Sequence, residues 1–276
     1  MMTALGTWLQ NLMLGLGFGI CHQLPERSFI DGGFQQPVCA RCSGIYMGAT
    51  FALITLLWVY RRRRRSTSAG GSGAGEVLTS GDRRTPAVDP DAVAGDGGGA
   101  PVPGQGSSHP AGVHWTLWIF LVLALAAMAY DGLSSYLGLR PTTDLLRLIT
   151  GLAVGGAIAP LLIVLLGETL LHDPPRGKIL ARSRDWLVFI GALVAAGLLD
   201  YPVGRLLGPV IPLVVTLCIL ATFTAVVLVL VGLVKRFEHS VARIRDALLP
   251  TLIACAGALI LLAAFAVGKA ALLTLL

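Results

Sequence analysis

Runs of about 20 predominantly apolar residues recur along the chain, and each is long enough to cross a hydrocarbon core about 30 Å thick. Six of them are predicted to be transmembrane helices: Ser43–Tyr60, Trp115–Ser134, Thr143–Gly167, Trp186–Arg205, Pro209–Val234 and Ala247–Gly268. Only 13% of the 276 residues are charged, against about 25% in soluble domains, which excludes a soluble globular protein. The sequence therefore predicts an all-α fold, a polytopic transmembrane bundle of six helices. The shorter apolar stretch Ala4–Ile20 makes a seventh if it also crosses.

The net charge of +6 is better explained by membrane orientation than by nucleic-acid binding. Most of the 21 Lys and Arg residues lie in the loops after the first, third and fifth predicted helices, including the block Arg61–Arg65. Cytoplasmic loops are enriched in Lys and Arg, so the loop Cys21–Cys42 is placed outside the cytoplasm. We expect a multi-pass protein of the cytoplasmic membrane whose main partner is the lipid bilayer.

Composition divides the chain into four predicted parts. They are residues 1–42, an apolar segment with an extracytoplasmic Cys/His loop; 43–60, the first transmembrane helix; 61–114, a disordered cytoplasmic linker; and 115–276, a bundle of five helices. The linker is rich in Gly, Ser, Pro and Asp and has no periodic apolar pattern, so it cannot bury enough surface to order itself. In the third predicted helix, Thr143–Gly167, Gly151 and Gly155 give a small-xxx-small spacing that predicts close helix contact.

Residues able to do chemistry concentrate in the loop before the first helix. Cys39 and Cys42 are three positions apart at a predicted helix N-terminus, where the helix dipole favours thiolates. Together with Cys21 and His22 they offer three sulfurs and one imidazole, a ligand set typical of tetrahedral zinc. We therefore predict that Cys21, His22, Cys39 and Cys42 bind zinc or another transition metal. Two adjacent residues cannot easily both bind one tetrahedral ion. Alternatively, one of Cys21 and His22 therefore orients a metal ligand or takes part in catalysis.

Two other interpretations of the same cysteines stay open. Thiols tend to be oxidised outside the cytoplasm, and a C-x-x-C pair at a helix start suits quinone-linked thiol–disulfide exchange, with Cys21 as the resolving thiol. The third interpretation is a structural disulfide, for example between Cys21 and Cys39, that pins the loop. An odd number of outer cysteines counts against a purely disulfide account.

Charged residues within predicted spans are costly in lipid and mark candidate functional sites. Counted along their helices, Asp131, Arg147 and Asp200 fall in one layer near the outer face. They form either interhelical ion pairs that set packing or a polar pocket for an anionic or amphiphilic substrate. Arg140, Asp144 and Arg147 share a face and form an Arg–Asp–Arg ladder if their helix begins early enough.

Two stretches of the sequence carry a family resemblance. They are Cys21-His22-Gln23 with Pro25-Glu26-Arg27-Ser28-Phe29, then Cys39-Ala40-Arg41-Cys42 with Gly44-Ile45-Tyr46 and Gly48, and later Asp131-Gly132, Gly138-Leu139-Arg140 and Leu145-Leu146-Arg147 with Thr150-Gly151. These residues resemble the signature of a family of predicted prokaryotic membrane proteins catalogued as a domain of unknown function. The resemblance extends to about residue 160 and implies that both stretches belong to one unit, without implying an activity. The long linker and the C-terminal helices depart from the family's usual pattern.

The resulting hypothesis is an extracytoplasmic metal centre over a polar pocket bordered by Tyr46 and Arg27. The candidate catalytic residues are Asp131, Arg140, Arg147 and Tyr46. A membrane enzyme acting on an amphiphilic or anionic substrate is the first functional hypothesis, and a transporter component or a membrane scaffold is the alternative. A transport path requires polar residues through to the cytoplasmic side, whereas the inner halves of the predicted spans are nearly all apolar, which favours a one-sided site.

Overall fold

The computed structural model describes residues 4–70, 115–170, 180, 182–234 and 247–275. These residues form helices α1 (Ala4–Phe18), α2 (Ala40–Gly70), α3 (Trp115–Tyr136), α4 (Asp144–Leu170), α5 (Ser183–Asp200), α6 (Gly204–Leu207), α7 (Val210–Gly232) and α8 (Leu248–Leu275). A 3-10 turn at Pro25–Arg27 and two short strands, β1 (Ile30–Asp31) and β2 (Phe34–Gln35), lie between α1 and α2. The predicted fold class, an all-α membrane helix bundle, is confirmed.

Within the described residues, five helices are long and apolar enough to cross a membrane. Their spanning segments are Ala40–Arg62, Trp115–Tyr136, Asp144–Thr169, Val210–Gly232 and Leu248–Leu275. Helix α5 is shorter and carries charged residues near both ends, and α1, at 15 residues, is about 22 Å long. A multi-pass membrane location is therefore supported, while the number of spans, six or seven, stays a prediction.

Predicted helix ends differ from the structure most at α2, α5 and α8, and α8 continues past Gly268 to Leu275. Helix α2 continues past Tyr60 to Gly70, and the rest of the predicted linker, residues 71–114, lies outside the described residues. Helix α5 ends at Asp200 instead of Arg205. A turn with Pro202 follows at once, and proline lacks the N–H that the next helical hydrogen bond requires.

Helices α2 and α4 form the tightest contact of the bundle because glycines face each other's backbone. A Cβ atom at Gly44 would lie 2.4 Å from Leu148 O, and one at Gly151 would lie 2.2 Å from Arg41 O. One turn further, a Cβ at Gly155 would lie 2.0 Å from Ile45 O. Such spacing of small residues lets two membrane helices approach to backbone contact. This contact fixes the start of α2, which carries the C-x-x-C pair, against α4.

The remaining helices surround this pair. Helix α2 also packs against α5 and α7, α3 packs on α4, and α8 packs on α7. Helix α1 lies against α8 and α7. The N-termini of α2, α4 and α7 and the C-termini of α1, α3, α5 and α8 thus meet at one end of the bundle. The loop Cys21–Cys42 covers that end.

The β1–β2 hairpin shapes this loop and is a feature that the sequence interpretation missed. Ile30 pairs with Gln35 and Asp31 with Phe34 around Gly32 and Gly33. Both glycines have positive φ, 57° and 85°, as a two-residue type I′ turn requires. The hairpin directs Asp31 inward, where it is 1% exposed.

Candidate metal centre and adjoining pocket

Three cysteine side chains meet where α1, α2 and the covering loop come together. Cys21 follows the end of α1, Cys39 immediately precedes α2, and Cys42 lies in the first turn of α2. Their sulfur atoms all lie within 4.8 Å of one another, and all three are free thiols. The backbone N–H of Cys39 donates a hydrogen bond to Cys21 Sγ at 3.2 Å. The C-x-x-C pair and the separate cysteine therefore form one cluster that could hold a metal ion.

Electrostatics favour a thiolate in this cluster. Hydrogen bonds donated to its sulfur by Cys39 and by Cys42 hold the pKa of Cys21 well below its usual range. The pKa of Cys39 is raised, first because its thiol proton is donated to Cys21. The start of α2 adds the positive end of a helix dipole. A thiolate is the form that binds metal or attacks a disulfide.

A lysine near the end of α8 positions Cys21. Lys269 Nζ donates to Phe18 O at 2.9 Å and to Cys21 O at 2.7 Å, and lies 4.4 Å from the centre of the Phe18 ring. It therefore caps carbonyl groups at the end of α1 and brings a positive charge beside the cluster. Nothing local in the sequence links Lys269 to a residue near the N-terminus.

Gln23 of the Cys21-His22-Gln23 motif holds the loop in shape. Its side-chain amide donates to Leu14 O at 2.6 Å and to Pro37 O at 2.8 Å, so it joins α1 to the turn before Cys39. Its backbone adopts φ 55°, an uncommon conformation for a residue with a side chain. The motif thus supplies one sulfur and the group that positions the second.

His22 does not join the cysteines in the described structure. Its side chain is exposed, and the group of potential metal ligands contains only Cys21, Cys39 and Cys42. Cys21 is buried and His22 is exposed, so the two adjacent side chains lie in different environments. Of the four predicted ligands, the structure brings the three cysteines together and leaves His22 outside their cluster.

Asp131 lies beneath the loop in an ion-pair network. Arg41, the residue between the two cysteines of the C-x-x-C pair, pairs with Asp131 Oδ2, and Arg140 Nη2 lies 3.4 Å from Asp131 Oδ1. Asp131 is 2% exposed in its side chain, so the two guanidinium groups compensate a buried charge. These contacts agree with the interpretation of Asp131 as a member of an interhelical ion pair.

The expected Arg–Asp–Arg ladder on α4 is wrong. The helix begins at Asp144, so Arg140 lies in the preceding loop and turns to Asp131. Arg147 Nη1 donates to Asp144 Oδ1 at 3.0 Å, and its Nη2 donates to Thr142 Oγ1 at 3.1 Å. Only the Asp144–Arg147 half of the ladder forms.

A polar cavity of about 340 Å³ adjoins the cysteine cluster. Its lining residues are Arg27, Cys39, Arg41, Gly132, Ser135, Tyr136 and Arg147. Cys39 is common to the cluster and to the cavity wall, so a ligand in the cavity would lie beside the sulfurs. Arg140 and Arg147 line a second cavity of about 730 Å³.

Tyr46 does not line either cavity. It lies one turn deeper in α2, packed against the apolar cluster around Cys21 and Met47, and its ring centre is 6.0 Å from that of Phe223. The interpretation of Tyr46 as a border of the pocket is corrected, because the helix places it on the face that turns into the core. Asp200 likewise does not line either of the two cavities.

A fully buried polar network joins the loop to α5. Gln36 Nε2 donates to Asp31 Oδ2 at 3.0 Å and to Asp200 Oδ1 at 2.7 Å, and Ser43 Oγ donates to Asp200 Oδ2 at 2.6 Å. Desolvation raises the pKa of Asp31 above its ordinary value, against the hydrogen bond from Gln36. Sequence reasoning missed Asp31, Gln36 and Ser43, since their partners are remote in sequence. The network anchors the loop over the bundle.

Comparison with known proteins places these residues in a wider group. An uncharacterized protein of Methanocaldococcus jannaschii is 28% identical over 136 residues, which cover 49% of this chain and 56% of the relative. An uncharacterized protein of Methanothermobacter thermautotrophicus is 54% identical over 39 residues, which cover 14% of this chain and 35% of the relative. The chain thus spans about half of the first relative and about a third of the second. No solved structure matches the chain.

Two segments of the chain match a family of membrane proteins, and both contribute to the site. The first segment, residues 21–70, contains the three cysteines, and the second, residues 108–161, contains Asp131 and Arg147. The resemblance seen in the sequence is confirmed, and over these two segments the chain matches the family described as "Predicted membrane protein (DUF2085)".

Proposed function

We propose that this integral membrane protein binds a transition metal, with zinc the best match, through Cys21, Cys39 and Cys42. The observation that carries the proposal is the meeting of three sulfurs within 4.8 Å. Tetrahedral zinc with Zn–S bonds of about 2.3 Å places its sulfurs about 3.8 Å apart, so small side-chain adjustments suffice. Three protein ligands leave a fourth position for water or a substrate atom, the arrangement of catalytic zinc sites.

The proposed site faces outside the cytoplasm and acts on an anionic or amphiphilic substrate held in the 340 Å³ cavity. The distribution of Lys and Arg supports this orientation. Cys39 connects the metal to the cavity, so a bound metal could polarise a substrate oxygen or activate water there. The polar groups of the site concentrate at one end of the bundle, which supports a one-sided site over a transport path.

Elemental analysis of the purified full-length chain tests the metal. We expect about one equivalent of zinc or another transition metal in the native protein, and none in Cys39→Ser, because a serine hydroxyl is a poor replacement for a thiolate. Cys255→Ser is the matched control, since Cys255 lies in α8 outside the cluster and should leave the metal content unchanged.

Thiol counting on the same denatured samples distinguishes the second candidate. The contact of Cys21 with both thiols of a C-x-x-C pair also suits thiol–disulfide exchange. Metal-free native protein with two of the three outer thiols oxidised would contradict the metal proposal. Exchange of that bond with quinone or thiol reagents would then support the redox function, and a bond that does not exchange would be a structural disulfide.

A further inference from the structure

Arginines from three separate elements converge on the cavity beside the cysteine cluster. Arg27 comes from the 3-10 turn, Arg41 from α2 and Arg147 from α4, and all three line the 340 Å³ cavity with Ser135. Guanidinium groups repel one another, so their convergence favours an anion between them. This placement brings three cationic residues to the wall of one cavity.

Among the described residues, Arg27 and Arg41 have side-chain donors without an acceptor, whereas Arg147 donates to Asp144 and Thr142. The Arg27 side chain makes no hydrogen bond or ion pair with any residue that the structure describes. Arg41 Nε is buried and has no partner among those same residues, although its Nη2 pairs with Asp131. Arg27 is exposed, so solvent can satisfy its donors, whereas buried donors are normally paired within the protein. The unpaired Arg41 Nε beside a polar cavity therefore indicates a missing acceptor.

The charge around the site is positive after pairing. Asp131 is shared by Arg41 and Arg140, and Asp144 is paired with Arg147. Arg27 is left over. Thr142 and Thr143 at the N-terminus of α4 line the neighbouring 730 Å³ cavity, which shares Arg27, Ser135 and Arg147 with the first. The helix dipole adds to the positive potential there, because this end of a helix attracts anions.

We propose that the cavity lined by Arg27, Arg41 and Arg147 binds the phosphate group of its ligand, next to the metal centre. A carboxylate has one charge and two oxygens, and two guanidinium groups saturate it. A phosphate presents more oxygens and more charge, which matches three convergent guanidinium groups and the Ser135 hydroxyl. The position of the phosphate next to a metal rests on the proposed function, in which Cys39 is a metal ligand. The phosphate site itself does not, because it is formed by the arginines.

The phosphate has two possible sources, a lipid headgroup and free phosphate. Tyr136 lines the cavity, and around it on α3 and the following turn the apolar residues Leu133, Leu137 and Leu139 are exposed. In a membrane protein such a surface contacts lipid, so a headgroup can reach the cavity from the bilayer side. Both sources share the same chemistry at the arginines.

Calorimetric titration of the metal-analysed full chain, reconstituted in phosphatidylcholine nanodiscs at about 0.15 M salt, tests the phosphate site. The probes are inorganic phosphate, dioctanoyl phosphatidic acid and acetate. We expect Arg27→Gln to weaken binding of at least one phosphate probe by about tenfold, the loss of one charge-assisted contact. Arg205→Gln is the matched control, because Arg205 lies at the same end of the bundle but stacks on Tyr201. It should change the affinity less than about twofold, and acetate should bind at least about tenfold more weakly than phosphate.

The outcomes separate the two proposals. Tighter binding of phosphatidic acid than of inorganic phosphate identifies a lipid ligand, and the reverse order identifies free phosphate. The phosphate site would be overturned if the native chain and Arg27→Gln bind the phosphate probes with equal affinity, or if acetate binds as tightly as phosphate. Either result would hold even if a full equivalent of metal is present. Arg27-dependent phosphate binding to a chain without metal would sustain the phosphate site and contradict the metal proposal alone.

Discussion

Replacing Gly155 with alanine is expected to lower the free energy of unfolding by about 3 kcal/mol, a large value for the addition of one methyl group. The new Cβ would lie 2.0 Å from Ile45 O and 2.8 Å from Ala49 N, and both atoms belong to the backbone of α2. No side-chain rotation relieves such contacts, so α2 must move away from α4. Because α2 carries Cys42 and Arg41, we also expect metal content to fall. Unfolding in mixed micelles of increasing denaturing detergent, followed by helical circular dichroism, measures the loss.

The matched control for this variant is Gly191→Ala. Gly191 is also within a helix, but among the described residues no atom beyond its own stretch of helix lies within 4 Å of the position of its Cβ. Alanine favours helix over glycine by up to about 1 kcal/mol, so this variant should be as stable as the native protein or slightly more stable. Equal effects of the two substitutions would show that the α2–α4 backbone contact does not determine stability.

Replacing Gln36 with leucine is expected to lower the free energy of unfolding by about 3 kcal/mol near neutral pH. Gln36 is fully buried, and its amide is the shared donor for Asp31 and Asp200. Leucine has a similar volume but no donor, so two buried carboxylates lose a hydrogen bond each. Chemical unfolding at about pH 5 and about pH 8 measures the effect.

The pH dependence separates electrostatics from packing. The pKa of Asp31 is raised in the folded protein, so the folded state binds its proton at higher pH than the unfolded state. The stability therefore falls as pH rises through this range. Gln36 opposes that shift, and its removal raises the pKa of Asp31 further, so the loss in Gln36→Leu should be smaller at pH 5 than at pH 8. The double variant Asp31→Asn with Gln36→Leu should recover part of the stability at pH 8, and an equal loss at both pH values would indicate packing alone.

The sequence was sufficient to predict the bundle because the signal for each membrane helix is local. An uninterrupted apolar run must satisfy its backbone within itself in lipid, so helix type and approximate position follow from the run. The glycine spacing at Gly151 and Gly155 likewise identified a contact surface, which the structure pairs with Gly44 and Gly48. The ends of the helices were less predictable, since α2 continues into the arginine block and α5 stops before Pro202.

The candidate site was predictable only where its residues form a compact motif. The cysteines stand out as reactive side chains beside a predicted helix start, and the structure brings all three together. The side-chain directions of His22 and Tyr46 depended on the turn at Gln23 and on how α2 is rotated in the bundle, which no local pattern encodes. Lys269 contacts Cys21 across 248 positions, and Gln36 contacts Asp200 across 164. No local pattern in the sequence links either residue to its partner.

X-ray absorption at the zinc edge of the native, detergent-purified protein tests the three-cysteine metal centre most directly. The account predicts three sulfur neighbours at about 2.3 Å and one oxygen or nitrogen neighbour at about 2.0 Å. The sulfur signal should be unchanged in Cys255→Ser and in His22→Ala, because neither residue belongs to the cluster. A first coordination shell without sulfur, or one that loses a nitrogen neighbour in His22→Ala, would contradict the three-cysteine centre.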